Sequence, residues 1–244
     1  MQQREPRGGD LSRIPYWWNT VARPLIPTIP VPRRVDAAIV GGGVAGLTAA
    51  ATLRAAGASV VVLDRGVVGD GAASRNLGFL VERIDGTGSL DPDHILAGLP
   101  AIEWVREGAL AVSRLIEFAA ACGIQCDVET SGKLVLATDA RVLDRIRVQI
   151  DRWQPRLPAL RDQVLSAKEL GDEIHAAAAL RYSGARLQPD ARMLNPARLT
   201  AGLVQHCVGA GALLCSNTAV EALDASRGSA PQLVTSAGRI QADH

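Results

Sequence analysis

The chain has 244 residues, 48% hydrophobic, 21% charged and 3% aromatic, with 26 basic against 25 acidic side chains and a net charge of +1. That length and apolar content suffice for one large domain or two small ones, and they exclude a largely disordered chain. The balanced charge excludes the basic field that recruits nucleic acid or anionic lipid.

Residues 1–33 read as an arm. Pro15, Pro24, Pro27, Pro30 and Pro32 forbid regular helix and central strand, so the segment is expected to lie extended over the rest of the protein. Its Tyr16-Trp17-Trp18 cluster reads either as a buried anchor or as a patch facing a substrate or partner.

Val35 to Val40 is a short apolar run ended by glycines, which predicts a buried strand. Val44 to Ala56 predicts a helix with Val44, Leu47 and Ala51 on one face, Arg54 away from it, and Gly57 as its stop. Ser59 to Leu63 predicts a second buried strand, closing a βαβ unit on a parallel sheet. A glycine-rich segment, Gly66 to Gly78, reads as a functional loop. Farther on, Pro92 to Cys122 predicts one long helix, Lys133 to Ala137 a strand, and Ala140 to Trp153 an amphipathic helix. Ser166 to Ile174 and Pro196 to Val208 predict two more helices, the second capped by Asn195. Ala212 to Cys215 and Gln232 to Gln241 read as strands, the latter folded about Ala237-Gly238.

Cys122, Cys126, Cys207 and Cys215 show no C-x-x-C spacing, and His94, His175, His206 and His244 share no ligand pattern. No metal site is expected, and the thiols read as small buried hydrophobes in a reducing compartment. The longest uncharged apolar stretch, Ala37 to Leu53, is short for a bilayer span and is broken by glycines. No signal-peptide pattern opens the chain, so a soluble cytoplasmic protein is expected.

Gly41-Gly42-Gly43-Val44-Ala45-Gly46 satisfies G-x-G-x-x-G between a predicted strand and a predicted helix. Asp64 ends the next strand, 18 residues beyond Gly46. Each part has a physical task in holding a dinucleotide. Gly41 permits the tight turn, Gly43 leaves room for a pyrophosphate against the backbone, and Gly46 allows close helix–sheet packing. The N–H groups at the helix start, at Val44 and Ala45, hold phosphate charge with the help of the helix dipole. Asp64 accepts hydrogen bonds from the adenosine ribose, and an acid there disfavours the 2′-phosphate of NADP. The pattern leaves FAD and NAD both open.

The residues after Asp64 carry a resemblance. Val62-Leu63-Asp64-Arg65 and Gly69-Asp70-Gly71-Ala72-Ala73-Ser74-Arg75-Asn76-Leu77-Gly78 resemble the FAD-dependent oxidoreductases of the D-amino-acid oxidase family. Within it they are most similar to the γ-glutamylputrescine oxidase and glycine/sarcosine oxidase-like amine oxidases. The loop of those proteins has the form G-x-G-A-S-x-R-N-x-G. This chain departs by carrying Ala72-Ala73-Ser74 before Arg75-Asn76, and Leu77 where glycine is common. Segments at Gly123 to Asp127, Ser131 to Ala137, Leu194 to Leu199 and Gly211 to Val220 continue the likeness, which spans about residues 15–244.

The resemblance implies an α/β fold: a Rossmann-like, doubly wound parallel-sheet domain that binds FAD, with an inserted α+β portion of a substrate domain. The implied organisation is an arm at 1–33, an FAD-binding βαβ unit and loop at 34–85, the substrate-domain portion at 86–190, and a return to the FAD-binding domain at 191–244. It implies that Gly41, Gly43 and Gly46 bind the pyrophosphate and that Asp64 and Arg65 flank the adenosine. Ala73, Ser74, Arg75 and Asn76 would pass beneath the pyrophosphate toward the flavin, and the Val220 backbone would meet the adenine. Some relatives attach flavin through a histidine near this loop; none precedes His94 here, so non-covalent FAD is expected.

Family members continue beyond the position of Ala242-Asp243-His244, so the C-terminal part of the fold and much of the ring and substrate environment are expected to lie outside this sequence. No side chain is assigned as catalytic acid or base. The implied activity is oxidation of the C–N bond of a small amine or amino acid by hydride transfer to flavin. Two alternatives stand beside it: a non-catalytic or complementing FAD-binding subunit that needs a second chain, and an NAD-dependent dehydrogenase.

Overall fold

The computed structural model describes residues 14–81, 91–224 and 230–244. In chain order the elements are β1 (Arg34–Val35), β2 (Ala37–Val40), α1 (Val44–Ala55), β3 (Val60–Leu63), β4 (Phe79–Leu80), β5 (Ile95–Leu96) and β6 (Leu99–Pro100). Then come α2 (Ala101–Ala121), β7 (Glu129–Thr130), β8 (Lys133–Ala137), α3 (Ala140–Trp153), β9 (Gln163–Ser166), α4 (Ala167–Glu173) and α5 (Ala176–Ala179). The order closes with β10 (Gly184–Gln188), β11 (Arg192–Met193), α6 (Pro196–Gly209), β12 (Leu213–Cys215), β13 (Val220–Asp224), β14 (Gln232–Thr235) and β15 (Gly238–Ala242).

These residues divide into two compact units. The first comprises residues up to Leu77, Ala119–Cys126 and Asn195–His244; the second comprises Gly78–Phe118 and Asp127–Leu194. The boundary expected between residues 85 and 86 lies outside the described residues, as does the arm before Ile14.

In the first unit, β3 is the middle strand of a parallel sheet ordered β12-β3-β2. All four of its residues are buried, as an apolar run covered on both faces requires. Helix α1 turns Leu47, Ala50 and Ala51 inward, and α6 buries Leu203, Val204 and Cys207. The two helices meet where the Cys207 thiol donates to the Leu47 carbonyl at 3.3 Å. Burial pushes that thiol up to about 11, so it stays protonated and able to donate at neutral pH. A mixed sheet ordered β1-β15-β14-β13 adds Val35, Leu233, Ile240 and Ala242 to a core shared with Val61, Leu63 and Cys215.

Two expectations change here. The single strand expected from Val35 to Val40 divides at Asp36, whose Oδ2 accepts from Ser59 N at 2.6 Å and Ser59 Oγ at 2.8 Å. Val35 consequently pairs with β15, while Ala37 begins the pairing with β3. Arg54, expected to point away from the packing, ties helix ends together. Its Nε donates to Ala210 O at 2.8 Å and its Nη1 to Ala58 O at 2.6 Å, so the cation joins the C-cap carbonyl of α6 to the turn that follows α1.

In the second unit, β8, β10 and β9 form an antiparallel sheet with β10 in the middle. Asp139 caps α3 by accepting from Val142 N at 2.9 Å; Leu143, Ile146 and Ile150 of that helix pack with Ala137. The long helix expected from Pro92 begins only at Ala101. Ala97 (φ +49°) and Gly98 (φ +86°) turn the chain instead, pairing β5 with β6 as a hairpin. Among the described residues no helix is long and apolar enough to cross a membrane, and no three His, Cys, Asp or Glu side chains group as a metal site.

Candidate cofactor site

The three glycines of the fingerprint meet different surroundings. Gly41 has φ +102°, the left-handed turn that takes the chain out of β2, and its N–H donates to Leu63 O at 2.8 Å. Gly43 caps α1 with an extended backbone, and a Cβ built on it would meet nothing within 4 Å. Gly46 sits one helical turn farther on, and its Cβ would lie 2.0 Å from the Gly41 carbonyl oxygen. Open space at Gly43 and closed space at Gly46 are what a backbone cradle for a diphosphate requires. The first N–H to find a helical acceptor is that of Leu47, bonded to Gly43 O at 2.9 Å. Those of Val44, Ala45 and Gly46 thus have no acceptor within the helix and carry its positive dipole end.

Asp64 reaches this turn. Its Oδ2 accepts from Gly42 N at 2.8 Å and its Oδ1 from Gly66 N at 2.8 Å. A carboxylate accepts about four hydrogen bonds, so two positions stay open for hydroxyl donors such as those of a ribose. Arg65 is exposed beside it. The segment after β12 wraps the same strand end: Asn217 N donates to Gly66 O and Thr218 N to Asp64 O, each at 2.7 Å. Val220, two residues on, is half-buried against the cluster of Val61, Leu63 and Cys215.

Sequence reasoning left Gly42 without a role. A Cβ there would lie 2.8 Å from Val68 Cγ1, and its carbonyl accepts from Gly69 N at 2.9 Å. The signal for it was the unbroken run of three glycines, where the fingerprint asks for only two. Asn217 was missed also; its φ of +54° suits an asparagine in a turn, and Ser216-Asn217-Thr218 is the turn-forming cluster that signals it.

The loop after Asp64 keeps most of its side chains for itself and for the arm. The Ser74 hydroxyl is 0% exposed, donating to Gly71 O at 3.0 Å and accepting from Trp18 Nε1 at 3.2 Å. Arg75 donates through Nε to Asp70 O at 2.7 Å and pairs through Nη2 with Asp70 Oδ2 at 2.7 Å. Asn76 Nδ2 donates to Ala73 O at 2.9 Å, and Asn76 O accepts from Trp17 Nε1 at 2.9 Å. Ala73 is half-buried. The structure therefore brings Gly41–Gly46 and Asp64 together, joins the 69–76 loop to them through Gly69, and holds Arg75 on Asp70. Of the two readings of the aromatic cluster, Trp17 and Trp18 anchor the arm, Trp18 at 7% exposure beside Ala197 and Ala201, while Tyr16 stays 71% exposed.

A parallel sheet, a glycine turn opening a helix, and an acid at the next strand end define the class of dinucleotide-binding α/β proteins. The sequence profile of the DAO family, described as FAD dependent oxidoreductase, matches residues 36–244. The chain belongs to that family, whose cofactor is FAD.

It is similar to gamma-glutamylputrescine oxidoreductase of Escherichia coli (strain K12), with 29% identity over 174 residues that cover 68% of this chain and 38% of that protein. A shorter match, 46% identical over 56 residues, joins 23% of the chain to 13% of the probable oxidoreductase OrdL of Rhizobium meliloti (strain 1021). Among solved structures, glycine oxidase from Geobacillus kaustophilus superposes with a TM-score of 0.71 at 25% identity, covering 87% of this chain and 54% of that one. L-amino acid deaminase from Proteus vulgaris shares the fold, with a TM-score of 0.72 at 19% identity over 91% of this chain and 49% of its own. The chain spans about half the length, or less, of these relatives.

Proposed function

We propose that this chain carries the FAD-binding portion of an oxidoreductase that acts on the C–N bond of a small amine or amino acid. The observation that carries the reading is the cradle itself: Gly43 open to a ligand, helix-start N–H groups facing it, and Asp64 holding the turn with acceptor positions to spare. In this reading Gly41, Gly43, Val44, Ala45 and Gly46 bind the diphosphate, Asp64 and Arg65 flank the adenosine, and the Val220 backbone meets the adenine. The loop from Ala73 to Asn76 passes beneath the diphosphate chiefly by its backbone, since Ser74 and Arg75 spend their side chains on Trp18 and Asp70. The second unit is read as a portion of a substrate domain. When bound, the flavin supplies an acceptor for a hydride equivalent from the carbon beside nitrogen, and the protein contributes orientation and exclusion of water. The absence of any histidine before His94 supports a non-covalent cofactor.

The test is reconstitution of the purified chain with FAD. A saturable, yellow, stoichiometric complex that NAD does not displace is the expected result. No flavin spectrum after reconstitution, or tight NAD binding without flavin, overturns the reading. A second reading is that turnover needs a second chain beside this one. Co-purification of a chain that raises turnover of the FAD-loaded protein supports it.

A further inference from the structure

Residues 14–23 precede the stretch matched by the family profile, yet they grip the loop that leads to the glycine turn. Trp18 Nε1 donates to the buried Ser74 hydroxyl at 3.2 Å, Trp17 Nε1 donates to Asn76 O at 2.9 Å, and Arg23 Nη1 meets Asp70 Oδ1 at 2.8 Å. The arm is itself fixed on its other side. The Arg23 guanidinium stacks 4.4 Å above the Trp18 ring, the ring packs with Ala197 and Ala201, and Thr20 Oγ1 accepts from Asn195 Nδ2 at 2.9 Å. Asp70 is shared, with Arg23 on one oxygen and Arg75 on the other, and the adjoining Gly69 N–H is bonded to Gly42 O at 2.9 Å. Arm, loop and glycine turn thus form one continuous run of polar contacts.

We infer that Trp18 and Arg23 are positioning residues of the cofactor site, holding the 69–76 loop against the glycine turn in the register in which its backbone meets the dinucleotide. Trp18 does so by occupying the Ser74 hydroxyl, so that the hydroxyl remains turned inward. Arg23 does so by neutralising the half of Asp70 that Arg75 leaves. The inference rests on the FAD reading above.

The experiment uses the whole 244-residue chain. FAD dissociation constants are measured by flavin fluorescence, and apoprotein melting temperatures in parallel, for the wild type, Trp18→Phe, Ser74→Ala, the Trp18→Phe/Ser74→Ala double variant, Arg23→Ala and Arg23→Lys. Trp18→Phe keeps an aromatic ring and removes the indole N–H together with its five-membered ring; it is expected to weaken FAD binding about three- to tenfold, the size of one hydrogen bond. The double variant is expected to bind more tightly than the two single effects would give if simply added, because Trp18 and Ser74 share one hydrogen bond. Arg23→Ala is expected to weaken binding about as much, and Arg23→Lys to recover part of it, since the ammonium keeps the charge beside Asp70 and loses the planar stack on Trp18. Folded Trp18→Phe and Arg23→Ala proteins with wild-type dissociation constants overturn the inference, as do additive effects of Trp18→Phe and Ser74→Ala. Should Trp18→Phe not fold, the arginine pair decides, since that side chain is half-exposed and its loss leaves the core intact. A wild-type chain that binds no FAD overturns the dinucleotide reading and this inference with it, so the wild-type titration tells the two failures apart.

Discussion

In the proposed FAD site Gly43 and Gly46 are both needed as glycine, for opposite reasons, and substitution separates them. At Gly43 a methyl group meets nothing within 4 Å and the backbone is ordinary for any residue. Gly43→Ala is therefore expected to change apoprotein stability by about 1 kcal/mol or less, while the methyl occupies the diphosphate's place and weakens FAD binding at least about tenfold. At Gly46 the methyl would meet the Gly41 carbonyl oxygen at 2.0 Å. Gly46→Ala is expected to lose about 3 kcal/mol of apoprotein stability through forced backbone movement. Thermal melts and FAD titrations of the two variants check both expectations. The thiols give a third measurement: Cys126, Cys207 and Cys215 are buried and Cys122 half-buried. Burial also raises the Cys122 thiol, which slows its reaction. A colorimetric thiol titration is expected to count one slow group in the folded protein and all four in denaturant.

At the scale of elements, caps give the sharpest expectations. Ser166 and Glu169 form a reciprocal capping box on α4, the serine hydroxyl accepting from Glu169 N and the carboxylate from Ser166 N at 2.8 Å. Ser166→Ala is expected to lose about 1 kcal/mol at neutral pH. Backbone and hydroxyl donation from Ser166 hold the Glu169 carboxyl below its ordinary value. A lowered folded-state value gives stability that is complete above the unfolded glutamate range and is lost as the pH falls through the folded value. The gap between wild type and Ser166→Ala is therefore expected to narrow below about pH 4, as denaturant midpoints measured down the pH scale would register.

The elements also mark where the sequence was legible. β2, α1 and β3, with Gly41, Gly43, Gly46 and Asp64, could be read because an apolar run, a glycine turn and an acid at fixed spacing are local signals. β10 could not, because its central Arg186 looks misplaced in a strand. Its partners, Asp162 and the Gln149 amide, come from distant parts of the chain. The β5–β6 hairpin was hidden under leucine and isoleucine spacings that fit a helix equally well. The orientations of Ser74 and Arg75 depend on Trp18 and Asp70, and no motif specifies such a partnership.

At the scale of the whole molecule, FAD should act on one unit. Ligand bound only to the folded state adds about 2.7 kcal/mol at a hundredfold excess over its dissociation constant, so the melting temperature is expected to rise with FAD concentration. Hydrogen exchange should locate the effect, slowing amides from Gly41 to Gly46 and from Asp64 to Asn76 while leaving the β8-β10-β9 sheet unchanged. A rise in protection confined to that sheet would contradict the assignment. The four tryptophans are divided between the units: Trp104 and Trp153 belong to the second, while Trp17 and Trp18 are bonded to the 69–76 loop of the first. Indole emission overlaps the near-ultraviolet absorption of an isoalloxazine, so ultraviolet light absorbed by that adjacent pair should drain into the bound dye. On the FAD reading the arm is an intrinsic lamp, expected to dim as the nucleotide arrives.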